Sequence, residues 1–346
     1  MMENKINRKP GSAKAEPGSV SALRGGLLVI LAGIGWGIIG IFTRKLTAAG
    51  LNSFQIIFVR GLLTALMLAA VMAVRSPGLF RIRVRDLWMF VGCGLLSIVF
   101  FNVCYFMTIE ASTLSAAAVL LYTAPCFVIL FSAVLFHEKI TGRKITALLL
   151  AFSGCALTAG IAGGNAGLTA FSVLTGIGSG VGFALYSIFS KLALQRYSAV
   201  TTTFWTYLSV TVGLLPFSQP HQILEITEQD PVLILDLVLI ALVCTLLPST
   251  LYTKALTMME AGRASVIAFV EPLTATVTGI ACFGEQLTFQ SAAGIALIFI
   301  ALIVLNTGAA DQTGSARSGQ EQDHDSQTEG SPGFRKPDDH IKLREQ

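Results

Sequence analysis

Ten stretches of this chain are apolar over the length a helix needs to cross a bilayer, and that removes most folds from consideration. A hydrocarbon core about 30 Å thick takes about 20 residues of helix. The stretches lie at 25–43, 53–74, 86–108, 112–135, 145–161, 168–190, 199–217, 232–253, 263–282 and 287–306. Backbone polar groups in lipid must be satisfied within the segment itself, so each stretch is expected to be a helix. The 346 residues are 53% hydrophobic and only 13% charged, against about 25% charged in a soluble domain. The expected fold class is an all-α integral membrane protein with ten transmembrane helices.

The basic residues give these helices a direction. Alternate loops, together with both ends of the chain, hold 21 Lys and Arg; the other set of loops holds only Arg44 and Lys45, and Arg60 lies within a span. Cytoplasmic loops carry the excess of Lys and Arg, so both termini are expected to be cytoplasmic. The loop from Phe217 to Pro231 has acids and no Lys or Arg, as an external loop should. Residues 1–23 read as a polar cytoplasmic tail whose following apolar run is too long for a signal peptide. Residues 308–346, rich in Gln, Ser, Gly and Asp, read as a disordered cytoplasmic tail. The net charge of +4 is not gathered into a patch, so no nucleic-acid partner is expected. The six cysteines all lie in apolar stretches and fit neither a metal site nor a disulfide framework.

The chain also repeats itself. Ala117 to Pro125 is followed by Glu138, and Ala264 to Pro272 is followed by Glu285. The two prolines stand 147 residues apart, as do the two glutamates. The same offset lays Gly33–Arg44 on Gly180–Lys191 and Tyr105 on Tyr252. Residues 24–161 and 168–307 thus form two five-helix copies. Five is odd, so the second copy enters the membrane from the opposite side, giving the inverted repeat found in many secondary transporters.

With the Pro…Glu signature near the end of each copy, residues 24–307 resemble the EamA-type branch of the drug/metabolite transporter superfamily. The resemblance implies a carrier of the bacterial inner membrane, often an exporter of amino acids, metabolites or toxic compounds. Small multidrug members of that superfamily carry an acid in their first helix; Gly25–Thr43 has none.

Several residues could carry chemistry. Glu271 falls at membrane depth where the first copy has Ala124. It is expected either to bind a proton or a cationic group, since acids inside membranes are functional candidates, or to fix its helix by hydrogen bonding, with Lys254 as a partner. Arg60 is expected to meet a carboxylate or other anion, or else to snorkel or pair with a carbonyl or Glu110. Together, Arg60 and Glu271 suit an amphoteric solute. Pro125 and Pro272 are expected kinks, in the transport path or in packing. Glu138 and Glu285 are interfacial acids beside loop bases such as Lys139 and Arg143, or paired gate or helix-end contacts. Trp36, Tyr105, Tyr122, Phe183 and Tyr252, with Tyr186, Phe269 and Asn102, line a solute pocket or pack helices together. The glycines of 33–40 and 176–182 are expected to allow close helix approach.

The function expected is secondary active transport of a small organic solute, in the export direction, by alternating access. The partners expected are that solute, a coupling proton and the lipid bilayer. A channel is the alternative, and an intramembrane enzyme a more distant one, because the four histidines lie in loops, tails or helix ends. No cofactor or metal is expected. The sequence leaves open whether two chains pair.

Overall fold

The computed structural model describes residues 19–112, 114–158, 169–284, 288–290 and 292–305. Both tails and Glu285 therefore lie outside the described residues, apart from the start of the first helix. Among the described residues all regular structure is helical. Seven helices are long and apolar enough to cross a membrane: Ser21–Ala48, Ser53–Arg75, Val84–Ala111, Ala116–Phe136, Ala170–Ala193, Val232–Ala255 and Ala261–Phe283. The other three predicted spans hold shorter helices: α8 (Gly142–Thr158), α10 (Ala199–Leu214) and α16 (Ala292–Leu305). Threonines at 201, 202, 203, 206 and 211 dilute the apolar character of α10. Leu27, Leu31, Leu66, Leu149, Leu174 and Ile303 are exposed on the outside of the bundle, as a lipid solvent requires.

Five of the seven long helices are interrupted. The first divides at Ile38 into α1 (Ser19–Gly37) and α2 (Ile39–Ala48). The third consists of α4 (Leu87–Val91), a π-helical segment Gly92–Val99 and α5 (Phe100–Ala111). Its repeat mate consists of α12 (Val232–Ala241), a π-helical segment Leu242–Leu246 and α13 (Leu247–Ala255). The helices carrying the Pro…Glu signature divide as α6 (Leu114–Leu121) with α7 (Ala124–Phe136), and α14 (Ala261–Ile267) with α15 (Val270–Phe283). Proline has no N–H to give the carbonyl four residues back. At Pro272 that carbonyl is Ala268 O, and it accepts instead from Glu271 N at 2.9 Å, tightening the turn. Both prolines sit in the first turn of a second half-helix, the position where a missing N–H costs least. Both half-helices end in a left-handed residue, His137 (φ 55°) and Gly284 (φ 67°), again 147 apart. Glycine takes this conformation freely, whereas His137 carries strain there.

The two copies are laced together. In each, the first helix packs on the broken helix of the other: α1 on α15, and α9 (Ala170–Ala193) on α7. Missing side chains make this possible. A Cβ at Gly37 would lie 2.5 Å from Thr274 Cβ and 2.7 Å from Glu271 O; one at Gly180 would lie 2.4 Å from Thr123 Oγ1. The stretch 217–231, expected to be an external loop, is not an open loop. It contains α11 (Pro220–Gln229), tied to the start of α3 (Ser53–Arg75) by Gln55 Nε2 donating to Gln222 Oε1 at 3.1 Å. α3 itself begins in a reciprocal cap between Asn52 and Gln55, which satisfies amide groups left open at a helix start.

Candidate functional site

The interrupted helices meet at a cavity of about 300 Å³. Its walls include Trp36, Arg60, Tyr105, Tyr122, Phe183 and Glu271, so six of the seven residues expected to contact solute share one chamber. The seventh, Tyr252, lines a neighbouring space of about 20 Å³ with Pro125 and Ala124, across a wall formed by Trp36, Phe183 and Tyr186. Tyr252 packs against Trp36 with ring centroids 5.4 Å apart and stacks on Tyr186 at 6.0 Å. Pro272 is buried and lines neither space.

Glu271 stands in the first turn of α15, not in the middle of a continuous helix. The break turns a helix N-terminus toward the cavity, where free N–H groups and the aligned peptide dipoles favour negative charge. Lys254 is exposed and is not paired with it. Arg60 points into the same cavity from α3. Its Nε donates to Thr245 Oγ1 at 2.9 Å, so its partner is neither Glu110 nor a backbone carbonyl. Arg60 and Glu271 do not form an ion pair within 4.0 Å; among the described residues the pairs include Lys45–Asp236, Lys144–Glu260, Lys191–Glu138 and Arg196–Asp86. Separate cationic and anionic groups therefore face one chamber. Asn102, also on the wall, donates through Nδ2 to Ile98 O at 2.7 Å.

The chamber has different ends. Thr43 and Ser53 line it beside the turn between α2 and α3. Toward the other end of α3 the space gives way to paired hydroxyls: Tyr207 with Ser249 (2.6 Å), Tyr186 with Thr253 (3.2 Å) and Ser187 with Tyr252 (2.7 Å). Beyond them lies Glu138. One carboxylate oxygen accepts from Lys191 Nζ and from Ala261 N at 2.8 Å, and the other accepts from Gly262 N at 3.1 Å. Glu138 of the first copy thus caps α14 and holds the end of α9, both in the second copy. The residues just past α9 sit at the same end: Arg196 and Tyr197 bind Asp86, which follows α3. Burial pushes the Glu138 carboxyl up, but the Lys191 ammonium and the two backbone N–H groups outweigh it and hold the acid below its ordinary value of 4.5. Lys191 also lies 5.2 Å from the Phe136 ring centre. Its repeat mates, Arg44 and Phe283, make the same contact at 4.0 Å.

Two participants were not singled out in the sequence. Thr245 reads as one more residue of an apolar stretch until its π-helical setting is seen. Asp236, in the first half of α12, is another charged residue within a span; it is nearly buried and pairs with Lys45 at 2.6 Å. The acid within the apolar run 232–253 was the available signal.

A multi-pass helical bundle whose broken helices enclose a polar, charged chamber is the architecture of a membrane transporter. Residues 23–160 and 170–307 each match the model of the EamA-like transporter family, and the chain belongs to that family. It is 30% identical over 200 residues to an uncharacterized transporter of Archaeoglobus fulgidus, covering 58% of this chain and 70% of the relative. It is 22% identical over 295 residues to the uncharacterized inner membrane transporter YicL of Salmonella typhimurium, covering 83% of this chain and 96% of the relative. A solved crystal structure with 17% identity superposes with a TM-score of 0.68, covering 85% of this chain and 99% of that one, so the fold is shared.

Proposed function

We propose that this transporter is a secondary carrier that moves a small amphoteric organic solute, such as an amino acid or related metabolite, by alternating access. The carrying observation is the chamber between the two copies, with Arg60 and Glu271 on its wall and the Glu138 latch closing one end. In this reading ten membrane crossings form two inverted copies, 24–161 and 168–307. The termini and the Glu138 end are cytoplasmic, the Thr43 and Ser53 end is external, and the membrane is the inner membrane of the cell. Arg60 takes the carboxylate; Glu271 takes the cationic group or a coupling proton. The export direction follows the family resemblance. Glu285, by its place in the repeat, is the external counterpart of Glu138. Overexpression is expected to lower one or a few amphoteric metabolites inside the cell and raise them outside. An unchanged intracellular and extracellular metabolite profile would contradict export.

The anion assignment has its own consequence. A guanidinium pairs with a carboxylate through two parallel N–H bonds, and losing a hydrogen bond to a charged group costs about 1.5–3 kcal/mol. Arg60→Ala is expected to raise the half-saturating concentration of a carboxylate-bearing solute about tenfold or more, and that of its neutral amide much less. Equal loss for both, measured in proteoliposomes, would remove the carboxylate role.

A further inference from the structure

The guanidinium of Arg60 is held by its Nε alone, and the residue holding it is built unusually. Thr245 is fully buried. Its hydroxyl accepts from Arg60 Nε at 2.9 Å and donates to Ile240 O at 3.0 Å, five residues back. Threonines within α-helices bond the carbonyl three or four residues back. Here Thr43, Thr108, Thr203, Thr211 and Thr274 all choose the fourth. Thr245 reaches the fifth because it lies in the π-helical segment Leu242–Leu246, where the turn is one residue wider. With its proton committed to Ile240 O, the hydroxyl oxygen can act toward Arg60 only as an acceptor. One turn further along α3, Thr64 Oγ1 donates to Ala241 O at 3.4 Å, so α3 is registered against the widened turn at a second point.

We infer that Thr245 is a positioning residue for solute recognition: its hydroxyl fixes Arg60 by Nε so that the terminal nitrogens are aimed at an anionic group in the cavity. This rests on the reading of Arg60 as the carboxylate ligand. The repeat supports a dedicated role. Both copies carry the π-helical segment, but the residue 147 before Thr245 is Ile98, and the mate of Arg60 is Tyr207. The widened turn is thus common to both copies, whereas the Arg–Thr pair belongs to one. It breaks the symmetry as Glu271 does opposite Ala124.

Two measurements on the full chain test it. In protein labelled with ¹⁵N at arginine Nε, the signal that vanishes in Arg60→Lys is expected to exchange slowly with solvent in the parent and in Thr245→Ser. In Thr245→Val it is expected to exchange about tenfold faster, since one hydrogen bond to a charged group is lost. Unchanged exchange in Thr245→Val overturns the inference, whatever the solute. In proteoliposomes tested with a panel of amino acids and their carboxamides, Thr245→Val is expected to raise KM for the carboxylates about tenfold at unchanged kcat, with Thr245→Ser restoring it. A parent protein that does not distinguish carboxylate from carboxamide defeats the Arg60 reading itself. A parent that does, alongside a Thr245→Val variant with unchanged KM, defeats only the positioning role.

Discussion

Glu271→Gln is expected to lower transport about a hundredfold in proteoliposomes while leaving the protein folded and inserted. Glutamine keeps the shape and one acceptor oxygen, so the bundle around α15 has no reason to collapse. It removes the negative charge that the cavity presents opposite Arg60. A charge-assisted contact in a site shielded from water is worth up to about 3 kcal/mol, which corresponds to about two powers of ten in rate or affinity. If Glu271 carries the proton, the variant will still exchange labelled solute across the membrane but will not accumulate it against a gradient. If it binds a cationic group, exchange is lost as well. Wild-type accumulation by Glu271→Gln would show that the acid only fixes its helix.

The second large effect concerns the closed end. Glu138→Ala removes the acceptor of three donors at once, from Lys191, Ala261 and Gly262, and leaves an ammonium beside uncapped amides. Removing one partner of a buried ion pair costs about 3–5 kcal/mol. The cost falls on the conformation in which α9 and α14 are held together at that face. A Ser187→Cys probe in a cysteine-free background, buried behind the latch, is expected to react with an impermeant thiol reagent from the Glu138 side in Glu138→Ala and in the shape-conserving Glu138→Gln. In the parent, where the latch is intact, it is expected to stay protected. The pH dependence has a definite sign. The Glu138 acid is held below 4.5, so the latch contributes in full above 4.5 and is lost as pH falls below that through the lowered value of the folded protein. Protection of the probe should therefore not change from neutral pH down to about 5. Protection equal to the parent in both variants would mean that the latch does not control this face.

Much of this arrangement could be read in the chain before the fold was seen. The offset of 147 recurs in the structure as paired helix breaks, paired π-helical segments and paired left-handed residues at His137 and Gly284. Proline and glycine act on their own backbone, so their effects are visible locally. Arg60 and Glu271 stood out because charge is rare in an apolar run, and the cavity does contain both. What escaped was whatever depends on helices distant in sequence. Lys191 lies 53 residues from Glu138, and Lys139 and Arg143 were nearer in sequence but are not its partner. Thr245 escaped because a π-helical turn leaves no compositional mark: Leu242–Leu246 is as apolar as its neighbours. The helix α11 escaped because its amphipathic pattern is short and starts at a proline ahead of an acidic stretch.

Solute counterflow in proteoliposomes tests the central claim most directly. Vesicles loaded with one amphoteric solute are diluted into a trace of the same solute in labelled form. A carrier that exposes one chamber to each side in turn will draw label inward transiently, in a saturable way. Linear uptake proportional to concentration, with steady conductance and no overshoot, would contradict alternating access and identify the chamber as part of a pore.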